Sequence, residues 1–204
     1  MIETGFLITA FATLFVVIDP PGLVPLFIAL TQGMDNAHRK RLARRACIIA
    51  AILLTLFGLL GEQLLGFIGI SMPAFRIAGG ILLFLTALDM LFERRTQRRE
   101  GQKSEPDHDP SVFPLATPLI AGPGAIATMI LLVGQTEDWT GTVAILALML
   151  AMMLATFVFL LASPPIERIM GRTGTIVVTR LLGMLLAALS VQFVIDGVKG
   201  TGLI

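Results

Sequence analysis

Asp19 stands inside an apolar run that begins at Gly5, and Pro20, Pro21 and Gly22 follow it directly. A carboxylate at membrane depth is costly to keep ionised, which suits it to reversible protonation and hence to coupling or substrate binding. Its structural alternative is to cap a helix that restarts after the prolines, or to pair with a cation. A second motif, Ala121-Gly122-Pro123-Gly124, lies in another apolar run, 102 residues further along from Asp19 to Ala121. Proline lacks the N–H that a helix needs and disfavours helical geometry in the residue before it, so both runs should break at these points. New helices should start at about Leu23 and Ala125, with free N–H groups and a positive dipole end that suit a carboxylate. The exposed carbonyls of the preceding half-helices suit a cation or an ammonium group. Two such breaks facing each other could hold a small zwitterion, and the glycines leave room for it beside the backbone. The candidate substrate-binding set is therefore Asp19, Pro20, Pro21, Gly22, Ala121, Gly122, Pro123 and Gly124, with Thr117 and Thr128 flanking the second break. The plainer alternative is a pair of proline kinks that only shape packing.

Other polar groups have weaker claims. Arg76 and Arg180 open the third and sixth apolar runs, and are candidates for gating or ion pairing against a reading as residues that snorkel to the interface. Glu62, Asp89 and Asp196 read as helix-end carboxylates. Thr86, Ser190 and Gln192 sit at membrane depth, where hydroxyls often bond their own helix. Gly79, Gly80 and Gly183 read as points of close helix packing. Cys47, the single cysteine, reads as a small core hydrophobe. His108 lies between Asp107 and Asp109 without a further ligand cluster, so it reads as a solvated histidine, and neither metal nor cofactor is expected.

The elements that must position these residues follow from hydropathy. Hydrophobic residues make up 55% of the 204, charged residues 14%, and mean hydropathy is +0.88, values that point to lipid as the main solvent. Apolar runs cover about 5–31, 46–67, 73–92, 112–134, 141–162 and 179–197. Each is long enough to cross a bilayer, and unpaired backbone groups in lipid require them to be helices. The first run is too long for a signal peptide and no basic segment precedes it, so it reads as a mature span.

Charge then orients the spans. Arg39, Lys40, Arg41, Arg44 and Arg45 follow the first; Arg94, Arg95, Arg98, Arg99 and Lys103 follow the third; Arg168, Arg172 and Arg180 lie between the fifth and the sixth. Only Arg76 and Lys199 fall on the other side, so the Arg-rich side should be cytoplasmic and both termini outside. The acidic Glu137-Asp138-Trp139 segment is then external, with Trp139 as an interfacial anchor. Residues 93–111 are polar and turn-rich, and read as a flexible cytoplasmic linker between a first unit, 1–92, and a second, 112–204.

Two further pairs of segments resemble each other in the same order. Gly69-Ile70-Ser71 parallels Gly171-Arg172-Thr173, and Arg76-Ile77-Ala78-Gly79 parallels Arg180-Leu181-Leu182-Gly183. An odd number of spans per unit inverts the second unit, so the expected fold is all-α, with six transmembrane helices as two inverted three-helix repeats and helices 1 and 4 discontinuous. Many secondary transporters have this architecture; some channels share it.

The segments VIDPPGLVPLF, PLATPLIAGPGAIATMILL, FRIAGGILLFLTALDML and TRLLGMLLAALSVQFVIDGV resemble the MarC family, also called the small neutral amino acid transporter family. The resemblance covers essentially the whole chain. It implies a six-span protein of the bacterial inner membrane. Some relatives move glycine, alanine and similar amino acids, driven by the proton gradient, and others were first linked by name to multiple antibiotic resistance.

The leading expectation is a proton-coupled secondary transporter of small neutral amino acids working by alternating access, with sodium the second choice of coupling ion. A passive channel or exporter of small metabolites or drugs on the same fold is the alternative. Catalysis is not expected: no Gly-x-Gly-Asp, HExxH, nucleophile-elbow or phosphate-loop sequence is present. The expected partners are the substrate, the coupling ion and the bilayer, with no nucleic acid; a homo-oligomer is compatible with these features.

Overall fold

A computed structural model describes residues 4–92, 109–136 and 138–202, and among these it is helical throughout, with no strand. The expected linker falls almost wholly outside the described residues, with His108 and the five cations from Arg94 to Lys103; so do Glu137 and the side chain of Arg172.

Helix α1, Thr4–Ile18, ends at Asp19, whose backbone is left-handed at φ 54°, and α2, Pro20–Leu30, starts immediately after it. Helix α3, Asn36–Ile68, is capped by the Asp35 carboxylate, which accepts the His38 N–H at 2.7 Å. Ser71 caps α4, Met72–Leu91, and Asp138 caps α7, Trp139–Leu161, with Trp139 exposed at its first position. Between these lie α5, Ser111–Ile120, an irregular wide-turned helix, and α6, Pro123–Val133; the two are bent by 54° at their junction. Helix α8, Ser163–Gly200, is interrupted at Gly171 (φ 59°, ψ 179°), a conformation open essentially to glycine alone. It therefore consists of a short arm, 163–170, and the span Thr173–Gly200.

Among the described residues five helical stretches are long and apolar enough to cross a membrane, or six when the α5–α6 pair counts as one. Two sequence expectations change. The cations from Arg39 to Arg45 are in the opening turns of α3 rather than in a loop, because Asp35 provides a cap and Ala, Arg, Lys and Leu are good helix formers. The segment between the fifth and sixth runs is also helical, with Pro164 and Pro165 in its first turn, where a missing N–H costs nothing.

Side-chain contacts show which connections share an end. Arg45 forms an ion pair with Asp109, and the Arg39 guanidinium donates to Ser163 Oγ at 3.1 Å, so the starts of α3, α5 and α8 meet at one end. The Ser111 hydroxyl and N–H, with Arg45 beside them, hold the Asp109 carboxyl below the usual carboxylate range. Any stability it contributes is therefore complete above that range and lost as pH falls through the lowered value. At the opposite end Met72 lies against Gly134, and Pro73 against Gly200.

Burial divides the helices into two layers. Most of α1 and α2 is buried (67% of the apolar window), against 22–33% for the windows in α3, α4, α7 and the α8 span. Helix α6 is buried over most of its length as well. The two interrupted stretches thus form the inner layer. The outer helices carry apolar stripes, such as Ile48, Ile52, Leu56, Leu60 and Leu64 on α3, which lipid can solvate at no cost. Helix α3 packs on α5, α6 and α7; α7 packs on α1, α2 and α3; α2 packs on α8, and α6 on α4.

Helices α4 and α8 pair along their length, and glycines let them approach. A Cβ on Gly80 would lie 2.8 Å from the Ser190 carbonyl oxygen, and one on Gly183 would lie 3.3 Å from the Ala87 carbonyl oxygen. Backbone cannot yield as a side-chain tip can. Gly80→Ala is therefore expected to cost roughly 1–3 kcal/mol, the range for overpacking. Thermal unfolding in detergent, compared with Gly66→Ala, where a Cβ meets nothing within 4 Å, checks this.

Candidate functional site

The first interruption is built by sequence chemistry at three levels. The prolines at 20 and 21 bring no N–H to the carbonyls one turn back, so the α1 ladder stops there. Aspartate is among the few residues that tolerate a left-handed backbone, which turns the chain at position 19. The Asp19 side chain then folds over the start of α2, where Oδ1 accepts the Gly22 N–H at 3.1 Å. Asp19 is 0% exposed, with Pro20 and Pro21 buried beside it. Counting 1.5 Å per residue, it stands roughly 22 Å from the start of α1 and about 16 Å from the end of α2, near the middle of this stretch.

The second interruption differs in construction. Phe113 and Thr117, each before a proline, have extended backbones inside α5, and Ala121 and Gly122 carry the chain into α6 without a side-chain cap. No acid occupies the place corresponding to Asp19; Ala121 does, and it is buried.

The two interruptions meet. A Cβ on Gly124 would lie 3.3 Å from Leu83 Cδ2, 3.5 Å from Val17 Cγ1 and 3.6 Å from Thr86 Oγ1. The second break thus touches the residue two places before Asp19, and α4 closes a third side. One turn further along the same side of α6 is Thr128, 0% exposed, whose hydroxyl has no hydrogen-bond partner among the described residues. A buried hydroxyl left in this way costs about 1–3 kcal/mol. Thr128→Val is therefore expected to leave the melting temperature unchanged or raised, which thermal unfolding in detergent checks.

Of the residues marked by sequence, Asp19, Pro20, Pro21, Ala121, Gly124 and Thr128 are buried in the inner layer; Gly22 and Gly122 are half-buried. Pro123 and Thr117 are exposed, and Thr117 does not join the buried set. Arg76 and Arg180 lie towards opposite ends of the α4–α8 pair; Arg76 is about two turns from Leu83, and Arg180 is exposed. Sequence reasoning ranked Thr86 below Thr117. Its position follows from the rotation of α4 about its axis, for which the glycine at 124 was the only signal.

A MarC family integral membrane protein model matches residues 4–201. A UPF0056 membrane protein of Archaeoglobus fulgidus is 39% identical over 95% of this chain and 92% of its own length. Another, from Methanocaldococcus jannaschii, is 37% identical over 97% of this chain and 98% of its own. The UPF0056 membrane protein YvbG of Bacillus subtilis is 35% identical over 96% and 95%. No solved structure matches the chain.

Proposed function

The chain belongs to the MarC family of integral membrane proteins, and from that premise we propose that it is a secondary transporter of small neutral amino acids of the glycine and alanine class, driven by protons through alternating access. The substrate is moved without covalent change. One observation carries the reading: two interrupted stretches meet in the inner layer, one with a buried carboxylate and the other without. The α2 start is capped by Asp19 itself, whereas the uncapped helix start at Pro123 offers a positive dipole end to a carboxylate, and carbonyls released by the prolines offer acceptors to an ammonium group. Asp19 is the proton-accepting group in this scheme, and Arg76 and Arg180 are gating residues.

The same reading takes α5 and α6 as one span, giving six. In support, Ser111 lies beside Asp109 and Arg45 at one end, while Gly134 lies against Met72 at the other. It also takes α1 to α4 and α5 to α8 as inverted repeats with discontinuous first helices. Exchange of the halves preserves the packing: α3 on α5 and α6 becomes α7 on α1 and α2, and α2 on α8 becomes α6 on α4. The glycine contacts exchange too, Gly80 with Ser190 becoming Gly183 with Ala87. With the Arg-rich end in the cytoplasm, the protein belongs in the inner membrane with both termini outside.

Purified protein in proteoliposomes is expected to take up labelled glycine, alanine or serine against a gradient when a pH difference is imposed, and to show saturable counterflow without one. Uptake of none of the three would sink the amino-acid reading, and flux without saturation or counterflow would favour a channel.

A further inference from the structure

A cleft of roughly 420 Å³ opens at the Arg-rich end, between α2, the turn that follows it and the arm of α8. A small amino acid fills the space of about two to four waters at ~30 Å³ each, so there is room for one with its hydration. On α2 the cleft is lined by Val24, Pro25, Ile28 and Ala29, a stripe with helical i, i+4 spacing. This stripe leads inward, and Val24 is only about 7 Å along the axis from Asp19. The far wall is Glu167 on the arm, with Gly171 and Thr175 at the point where α8 changes direction.

Arg39 stands at the opening and ties the walls together. Its guanidinium lies 5.7 Å from the ring centroid of Phe27, a fully buried residue of α2, and donates to Ser163 Oγ, also fully buried, at the start of the arm. The arm is thus joined to α7 through Ala162 at its start, where this side chain fastens it, and at its far end the chain turns at Gly171. At the opposite end the end of α6 meets the start of α4, the counterpart of α2 and α8 under exchange of the halves, and Met72 fills the space against Gly134.

We propose that this cleft is the cytoplasmic mouth of the substrate path, and that Arg39 is a positioning residue that sets its width by holding the arm of α8 to α2. The proposal rests on the transport reading and on the orientation given above. It assigns the structure to the state open to the cytoplasm, with the Met72–Gly134 contact as the closed outer side.

Thiol labelling tests it, because Cys47 is the only native cysteine and a Cys47→Ala chain is silent. In that background Ile28→Cys and Ala29→Cys are placed in the cleft, and Ile52→Cys on the outward stripe of α3 serves as the lipid-facing control. A charged, membrane-impermeant thiol reagent applied to inside-out vesicles is expected to label both cleft positions at least tenfold faster than position 52. Applied to right-side-out vesicles it should not distinguish them. Arg39→Ala should change the labelling rate at position 28 several-fold and leave position 52 unaffected, and Arg39→Lys, which keeps a cation over Phe27 and a donor to Ser163, should restore it. Equal rates at 28, 29 and 52, labelling only from the outside, or an unchanged rate in Arg39→Ala would each overturn the proposal. Labelling needs no substrate. Expected labelling without amino-acid uptake therefore refutes the substrate class and upholds the mouth, while uptake by a chain whose cleft positions resist labelling refutes the mouth alone.

Discussion

Replacing Asp19 by asparagine is expected to lower proton-driven uptake roughly 100-fold, near the upper end of a coupling energy of about 3 kcal/mol, with the fold retained. Asparagine is the informative choice because of the backbone. Position 19 is left-handed, a conformation that asparagine and aspartate share most readily, and its side chain caps α2 through the Gly22 N–H. Asparagine can keep both the turn and the cap, and lacks only the ability to exchange a proton. Counterflow, which needs substrate binding but no proton gradient, should persist. Asp19→Ala, by contrast, loses the cap and strains the turn, together roughly 2 kcal/mol, and should lower the melting temperature as well. Parental proton-driven uptake in a well-folded Asp19→Asn protein would remove Asp19 from the coupling scheme.

Gly22→Ala should be nearly as damaging by a different route. A Cβ there would lie 2.0 Å from Asp19 Oδ2 and 2.6 Å from its Cγ, so the carboxyl group would have to leave its place over the helix start. Overpacking of this kind costs roughly 1–3 kcal/mol, and each 1.4 kcal/mol spent on the bound state is about tenfold in affinity. The matching change at the second break is far milder. A Cβ on Gly124 meets the tip of Leu83 first, at 3.3 Å, and a leucine methyl can shift by a few tenths of an ångström. Uptake assays should therefore show Gly22→Ala reduced tenfold or more and Gly124→Ala within about threefold of the parent. Equal effects would mean that the carboxylate at 19 has no special part in binding.

How far these features could be read from sequence depends on whether their cause is local. The breaks could be placed because two prolines and a glycine act on the carbonyls within one turn, wherever the helix lies. The apolar lengths likewise needed no tertiary knowledge. The contact of Gly124 with Val17, two residues before Asp19, is set by the packing of α6 on α1. Thr117 was singled out because it flanks the second break in sequence; its backbone is extended and its side chain exposed, which only the fold shows. Arg39 was counted as one cation among five. Its partners, Phe27 and Ser163, lie on two other helices, and no pattern within the basic segment singles it out.

The glycine-lined contact between α4 and α8 has a mechanical consequence. Two helices that touch through their backbones, with Gly80 under Ser190 and Gly183 under Ala87, cannot slide without driving carbonyls into each other. In the proposed alternating-access cycle this contact is then a fulcrum between the halves, each contributing one of its helices, with the inner pairs α1–α2 and α5–α6 as the ends of a lever that tilts about it.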